Sequence, residues 1–263
     1  MHDLDHHNSL IEKVYQKEPV VKEEILKEYS EYARILKPYI KSWEDWPIHD
    51  WVKEDKLILL EGAQGTFLDI TWGSYPYVTS SQTVASGICT GAGLGPRAIH
   101  HVLGIAKAYT TRVGSGPLPT AFEEVEGFPK QQEAREFGVT TGRQRRMGWL
   151  DIPLIKQAVA INGIDSLVLT KLDILDALKT IKVCVGYTVN GKRFNKVPLS
   201  NDELSQAQPI YEEIEGWQSP TSSAKDFHSL PLKAQAFVEQ VEKLCGCPIS
   251  WVSVGPERSQ IME

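Results

Sequence analysis

Ser166-Leu-Val-Leu-Thr-Lys-Leu-Asp173 reads as a short buried strand that ends in a polar tip. Ser166 to Leu169 is a near-continuous apolar run of strand length, as in a strand covered on both faces. Thr170-Lys-Leu-Asp173 therefore falls at a strand's C-terminal end, where open α/β sheets gather their ligands. The Asp173 carboxylate can accept two hydrogen bonds from guanine, from the ring N–H and the exocyclic amine; adenine offers no such donor pair. The Lys171 stem can lie against a flat base while its ammonium stays in water. The alternative for Asp173 is a helix cap before Ile174 to Leu178, and one residue can serve both purposes.

Working outward, Asp151 is placed to cap a helix that runs to about Asn162 and stops at Gly163. Downstream, Ile181 to Thr188 and Arg193 to Leu199 flank Asn190-Gly191, a strong short hairpin signal. Pro231 to Leu244 has helical periodicity, and Pro248 to Val254 is a β-rich run ending at Gly255-Pro256. Upstream, Lys56 to Leu60 reads as a buried strand leading into Glu61-Gly-Ala-Gln-Gly65. The stretch after it is dense in Gly, Ser, Thr and Pro, too long for idle connection. Within it Pro96 to Ala108 is expected as helix and Tyr109 to Val113 as strand. Pro19 to Ile40 is expected as an amphipathic helix, with Val21, Ile25, Tyr29, Tyr32, Leu36 and Tyr39 on one face. Trp43, Trp46 and Trp51, around Pro47, mark an irregular link pinned to a core. Helices alternating with short buried strands make the class α/β, a layered sheet with flanking helices.

Composition narrows the function. The chain has 263 residues, 41% hydrophobic and 24% charged, ordinary globular values. Its net charge is 28 − 34 = −6, which disfavours a nucleic-acid binder. No apolar run is long enough for a membrane span. The start, Met1-His-Asp-Leu-Asp-His-His, is too polar for a signal peptide, so the cytoplasm is the expected compartment. His2, His6 and His7 beside Asp3 and Asp5 could hold a metal, but such a cluster is more often a frayed terminus. Cys89, Cys184, Cys245 and Cys247 include a Cys-x-Cys pair with no second pair at zinc spacing, so buried thiols are expected.

Three other segments carry chemistry. Val139-Thr-Thr-Gly-Arg-Gln-Arg-Arg146 sets hydroxyls, a glycine and three arginines in one loop, a composition suited to carboxylates and phosphates; the alternative is a solvated basic turn. Gly62-Ala-Gln-Gly65 can turn the Gln64 amide toward a ligand or simply form a tight turn. Ser253-Val254-Gly255 ends the other C-terminal strand and can back the same base as Asp173. Cys89-Thr-Gly-Ala-Gly-Leu-Gly-Pro is not a dinucleotide fingerprint: its glycines alternate and Pro96 replaces the third. There is no Gly-x-x-x-x-Gly-Lys-Ser/Thr and no Gly-x-Ser-x-Gly.

Eight segments in register resemble the adenylosuccinate synthetase family. They are Leu60-Glu-Gly-Ala-Gln-Gly-Thr, Tyr75-Pro-Tyr-Val-Thr-Ser-Ser, Gly91-Ala-Gly-Leu-Gly-Pro-Arg, Lys107-Ala-Tyr-Thr-Thr-Arg-Val-Gly, Thr140-Thr-Gly-Arg, Gly148-Trp-Leu-Asp, Thr170-Lys-Leu-Asp and Gly255-Pro-Glu-Arg. The resemblance implies the C-terminal part of a P-loop-NTPase-like synthetase fold, with a helical lead-in over 1–55, IMP and aspartate loops over 56–150 and a guanine-binding part over 151–263. It implies GTP-dependent joining of IMP and L-aspartate, in which GTP phosphorylates the 6-oxygen of IMP and the aspartate amine displaces the phosphate. Gln64, Thr79 and Arg143 would contact IMP. Val139, Thr140, Thr141, Gly142, Arg143, Gln144 and Arg145 would hold aspartate. Arg145, Lys171, Leu172, Asp173, Ser253, Val254 and Gly255 would hold GTP. Gln144 departs from the arginine usual at its position. The family's Gly-rich phosphate loop, its catalytic Asp and His and its Mg²⁺ ligand match no segment here. The resemblance therefore implies Mg²⁺ held outside these residues, a chain inactive by itself or needing a partner that supplies the N-terminal half, and a homodimer when whole. A sheet without those N-terminal strands is expected to expose an edge.

Overall fold

The computed structural model describes residues 2–42, 44–129, 134–138, 142–198 and 200–263. The chain divides into two compact units, Met1–Ile58 and Leu59–Glu263.

The first unit is helical: α1 (His2–Lys13), α2 (Lys22–Leu36), which tightens into a 3₁₀ turn at Lys37–Tyr39, and α3 (Ile48–Lys53). The side chain of Asn8 clamps the α1–α2 connection by pairing with both the N–H and the carbonyl of Val20. The periodicity of α2 does form a helix, but Leu26, Tyr29, Tyr32, Leu36 and Tyr39 are all exposed. Trp46 and Trp51 are exposed too, contrary to the expected pinning of the link. Among the described residues of this unit, Ile48 is the one buried hydrophobic, so there is no local core to pin them. Trp43 lies outside the described residues.

The second unit contains β1 (Leu103–Lys107), β2 (Thr110–Arg112), β3 (Arg146–Gly148), β4 (Leu150–Asp151), β5 (Ser166–Thr170), β6 (Thr180–Val189), β7 (Lys192–Phe194), β8 (Gln208–Glu215), β9 (Ile249–Ser253) and β10 (Ile261–Met262). Its helices are α4 (Ala85–Ala92), α5 (Ile152–Asn162), α6 (Asn201–Gln206) and α7 (Leu232–Cys245). One sheet has the order β1-β5-β9-β10, with β1, β5 and β9 parallel and β10 antiparallel. A second joins β2 to β3, and in a third β6 pairs with β4, β7 and β8. The main core gathers Leu169 of β5, Leu172 and Leu175 beyond its tip, Ile152 of α5, Phe237 and Val241 of α7 and Val252 and Val254 at the end of β9.

Local chemistry explains several of these boundaries. The Asp151 carboxylate accepts from the Leu154 N–H, and Gly163 closes α5 at φ 62°, ψ 44°, a left-handed end that glycine takes without strain. Asn190 and Gly191 have φ 50° and 76°, the two positive values a tight hairpin turn requires. Its second strand is shorter than expected, ending at Phe194; Pro198, with no N–H, cannot extend a ladder. All four cysteines are free and buried.

Two sequence expectations are overturned. Pro96 to Ala108 is not a helix: only Pro96–Ala98 turns, as 3₁₀, and Leu103–Lys107 is β1. The ladder to β5 overrides helical propensity here, and Gly104 lets the strands close, since a Cβ would lie 2.7 Å from Ile164 Cδ1 and 2.8 Å from Leu167 Cδ2. Lys56 to Leu60 forms no strand, and Leu57 and Leu59 are almost fully exposed. An apolar run becomes a strand only where a neighbour takes up its N–H and C=O groups, and none does so here among the described residues. The outer edge of β1 is also without a pairing strand among the described residues, and Ile105 on it is 69% exposed.

Candidate functional site

β1, β5 and β9 end side by side, with Lys107 level with Thr170 and Leu169 level with Val252. Their tips carry Lys107-Ala-Tyr109, Lys171-Leu-Asp173 and Ser253-Val-Gly255. Lys171 has φ 62° and ψ 35°, a left-handed conformation uncommon for a residue with a side chain and a common mark of ligand sites. Leu172 and Val254 are fully buried and pack into the core behind the strand tips. The Ser253 hydroxyl donates to the Gly255 carbonyl at 2.8 Å, which fixes the turn at the end of β9.

Glu136 lies at the centre of the cluster. It is fully buried. Its Oε1 accepts from Lys107 Nζ at 2.8 Å and from the Tyr109 hydroxyl at 2.5 Å, and Lys171 Nζ is 3.1 Å away. Its Oε2 accepts from Arg145 Nη1 at 2.9 Å and from Lys107 Nζ at 2.9 Å. Burial pushes the Glu136 pKa up, but the hydrogen bonds of Lys107, Tyr109 and Lys171 and the Lys107 charge outweigh it, leaving the carboxyl at about 2. Lys107 is pulled below the usual lysine range by burial, which Glu136 only partly offsets. Lys171 also donates to the Ala134 carbonyl at 2.7 Å. The described flanks of the basic loop pair with each other: Phe137 bridges Gln144, and the Gly138 N–H donates to the Arg143 carbonyl. Arg143 and Gln144 are exposed, and Val139, Thr140 and Thr141 lie outside the described residues.

Asp173 and Asp176 sit three residues apart with different fates. Asp176 accepts from Trp217 Nε1 at 2.7 Å, the Thr221 N–H at 2.8 Å and the Thr221 hydroxyl at 2.9 Å. Asp173 Oδ1 is buried with no hydrogen-bond partner among the described residues. Burial, with Asp176 adding repulsion, raises the Asp173 pKa. An unpaired buried acceptor costs about 1–3 kcal/mol. Asp173 is not the cap considered above, because Lys171 occupies the cap position of the 3₁₀ turn.

The loop bearing Gln64 and Thr79 is organised by Asp69. This fully buried carboxylate accepts from four backbone N–H groups, those of Thr71, Trp72, Thr83 and Val84, at 2.6–3.2 Å. Gln64 has φ 60° and is exposed, while the Thr79 N–H donates to the Leu68 carbonyl. Asn162 of α5 anchors both ends of the loop, donating to the Thr66 hydroxyl and accepting from the Ala85 N–H. Arg112 of β2 donates to Ser74 Oγ at 2.7 Å and to the Tyr77 carbonyl at 2.8 Å, linking this loop to the strand that follows Tyr109. The structure thus brings Arg145 and Lys171 onto one carboxylate and connects the Gln64–Thr79 loop to their neighbourhood through Arg112.

Glu136, Lys107, Tyr109, Asp69 and Arg112 were not foreseen as site residues. The sequence signal for Glu136 is a single acid, Arg135-Glu136, at the start of an otherwise basic loop. For Asp69 it is an aspartate within a Gly/Ser/Thr-rich stretch, where such side chains tie backbone turns. His101, Asp165 and Ser166 also meet, with His101 Nδ1 3.6 Å from Asp165 Oδ2 and Nε2 3.3 Å from Ser166 Oγ. They are not a nucleophile–base pair: the first gap is too long to orient the ring, and Asp165 Oδ2 already accepts from the Val102 N–H at 2.7 Å.

Fold and site together define an α/β protein with three cations gathered on a buried carboxylate at the tips of a parallel sheet. The sequence profile described as adenylosuccinate synthetase matches residues 1–262. The chain belongs to the adenylosuccinate synthetase family. It is 49% identical over 257 residues to the adenylosuccinate synthetase of Geotalea daltonii, covering 98% of this chain and 59% of that protein. It is 46% identical over 258 residues to that of Geobacter sulfurreducens, again 59% of the relative. The fully ligated adenylosuccinate synthetase of Plasmodium falciparum superposes with a TM-score of 0.89 at 34% identity, over 99% of this chain and 62% of that one. The chain thus spans about three fifths of the length of these relatives. The fold is that of the family, whose members are ligases.

Proposed function

We propose that this chain carries the guanine-reading and acid-gathering part of a ligase that joins IMP and L-aspartate to adenylosuccinate at the expense of GTP. The observation that carries the reading is one arrangement. Arg145 and Lys171, from loops far apart in sequence, meet on Glu136, and the unpartnered Asp173 Oδ1 stands two residues along. Asp173 accepts the two guanine donors, and the Lys171 stem covers the base. Leu172 and the Ser253-Val254-Gly255 turn contribute backbone groups behind it. The Arg145 fork, with one nitrogen on Glu136, keeps donors for the nucleotide and for aspartate. Val139, Thr140, Thr141, Gly142, Arg143 and Gln144 complete the aspartate loop. Gln64 meets the hypoxanthine, and Thr79 and Arg143 meet the IMP phosphate region.

The whole reaction uses Mg²⁺ in the family. Among the described residues no three His, Cys, Asp or Glu side chains gather into a metal site, and the Glu136 oxygens are already taken up by cations. These residues do not fit the ion, and no step is routed through it here. Turnover by residues 1–263 alone is expected to fall below detection when the chain is mixed with IMP, GTP, L-aspartate and Mg²⁺. Among the described residues no helix is long and apolar enough to cross a membrane; a cytoplasmic homodimer is the assembly proposed for the whole protein.

The test is nucleotide binding by calorimetry. Wild type should prefer GDP over ADP. Asp173→Asn should weaken GDP roughly 10- to 100-fold, the worth of one or two hydrogen bonds to a charged acceptor. It should also improve XDP, because an amide can donate to the xanthine 2-oxygen. Unchanged GDP affinity in Asp173→Asn removes the residue from a guanine site and the reading with it.

A further inference from the structure

Glu136 is not itself among the positions expected to contact a ligand, yet it holds together two side chains that are, Arg145 and Lys171. Three cations surround it, from the end of β1, from the basic loop and from the tip of β5. Lys107, Arg145 and Lys171 are 24%, 27% and 31% exposed at their side chains, while Glu136 shows none of its surface. Three cations on one carboxylate leave positive charge in excess, even with the Asp173 carboxyl close enough to act on Lys171. A purely structural ion pair would be neutral and closed. Here the carboxylate is buried while each of its three cations keeps part of its side-chain surface in solvent. Without the carboxylate, Arg145 and Lys171 would repel each other at close range.

Resting on the functional reading above, we infer that Glu136 is a positioning residue that couples the guanine end of the site to the acid-binding loop. A nucleotide that draws Lys171 over its base fixes Glu136, and Glu136 fixes the Arg145 fork in the pose that meets a carboxylate. The reverse holds by linkage: aspartate on Arg145 steadies Lys171 for the nucleotide. Lys171 is sensitive to this tether because its backbone is held in the left-handed region. Tyr109 completes the anchor by donating to the same Oε1, so the carboxylate is braced on a buried aromatic ring rather than free to follow either cation.

The experiment measures the GDP Kd of the full chain with and without saturating L-aspartate, with ADP as the control nucleotide. In wild type aspartate should tighten GDP by about 10-fold, within the usual range of site-to-site coupling. Glu136→Gln keeps the volume and removes the charge; the ratio should fall to about one even where the variant remains folded by circular dichroism. Lys171→Met removes one arm of the cluster and leaves Glu136 paired with Lys107, Arg145 and Tyr109. It should weaken GDP and also abolish the ratio, which keeps the inference testable if Glu136→Gln fails to fold. Tyr109→Phe, which only loosens the anchor, should retain part of the ratio. A merely structural Glu136 would weaken GDP and lower stability together while leaving the ratio at its wild-type value, and that result overturns the inference. Guanine-selective wild type whose GDP Kd ignores aspartate sinks the inference alone. Equal affinity for GDP and ADP sinks the functional reading, and the inference falls with it.

Discussion

Glu136 and Asp151 are both carboxylates with essentially no exposed surface, 0% and 1%, yet their surroundings drive them in opposite directions. Around Glu136 are three cations and a phenol, and the carboxyl is held at about 2. Among the described residues no cation acts on Asp151. Its oxygens accept from the Tyr187 hydroxyl at 2.6 and 2.7 Å and from the Leu154 N–H at 3.2 Å. Burial dominates these hydrogen bonds and pushes its pKa up to about 6. Burial by itself does not set the protonation of a carboxylate; the choice between cations and neutral donors does. The charged region lies where ligands are proposed to bind. The neutral-donor region caps α5 and ties it to β6, with the pKa values of Tyr187 and Cys184 both raised beside it.

The largest effect is expected from breaking the charged region. Glu136→Ala leaves Lys107, Arg145 and Lys171 facing one another, and should lower unfolding free energy in urea at pH 7 by about 3 kcal/mol. That is the lower end for a broken buried pair, since the cations keep some solvent. The sign of the pH dependence follows from the depressed pKa. The contribution of Glu136 is present above the ordinary Glu value near 4.5 and is lost as pH falls through about 2. Wild type should therefore lose stability across that acid window, and Glu136→Gln should lose less. Equal acid slopes in the two proteins would contradict the pairing.

At the other carboxylate, Asp151→Ala removes a helix cap and leaves the Tyr187 hydroxyl without its acceptor. A cost of about 2 kcal/mol is expected. Here the sign reverses. A folded-state pKa raised from 3.8 to about 6 favours the fold while the group is protonated, and that favour is lost as pH rises through about 6. Asp151→Asn keeps an acceptor for Tyr187 and carries no charge. Its stability relative to wild type should be higher at pH 8 than at pH 4.5, as read by urea unfolding at the two pH values. A difference of the opposite sign would mean that Asp151 is paired with a charge.

Much of this was legible in the sequence where local chemistry decides the structure. The buried strand β5 with its polar tip, the Asp151 cap and Gly163 stop of α5, and the Asn190-Gly191 turn all depend on neighbours a few residues away. β1 and the Lys56–Leu60 run were misread because a strand needs a partner, and the partner's position is a property of the fold. Gly104 in β1 looks like a helix interruption until Ile164 and Leu167 are packed against it. The candidate site divides the same way. Asp173, Lys171 and Arg145 announce themselves by residue type and motif. Glu136 is silent because its meaning comes from three cations up to 35 residues away in the chain, Lys107 on one side and Arg145 and Lys171 on the other.

The smallest effect is expected at Asp173, and it sharpens the contrast between carboxylates that are satisfied and those that are not. Asp176, three residues on, has donors for both oxygens, so Asp176→Asn places an amide N–H against a donor and should cost about 1 kcal/mol. Asp173 has a buried oxygen with no donor among the described residues and a pKa raised by burial. Replacing it with Asn removes the charge of a half-buried carboxyl whose Oδ1 lacks a donor among the described residues, at nearly constant volume. The unliganded chain should then gain a few tenths of a kcal/mol up to about 1 kcal/mol at pH 7, the usual range where a binding group is traded for stability. Because the raised pKa favours the fold only while Asp173 is protonated, the gain should shrink as pH falls and wild type becomes neutral at this position. A denaturation series over pH 4.5–7.5 reads this directly. Loss of stability in Asp173→Asn, of the kind expected for Asp176→Asn, would mean that Asp173 Oδ1 already has a donor inside the fold. It would then not be an oxygen held open for a base.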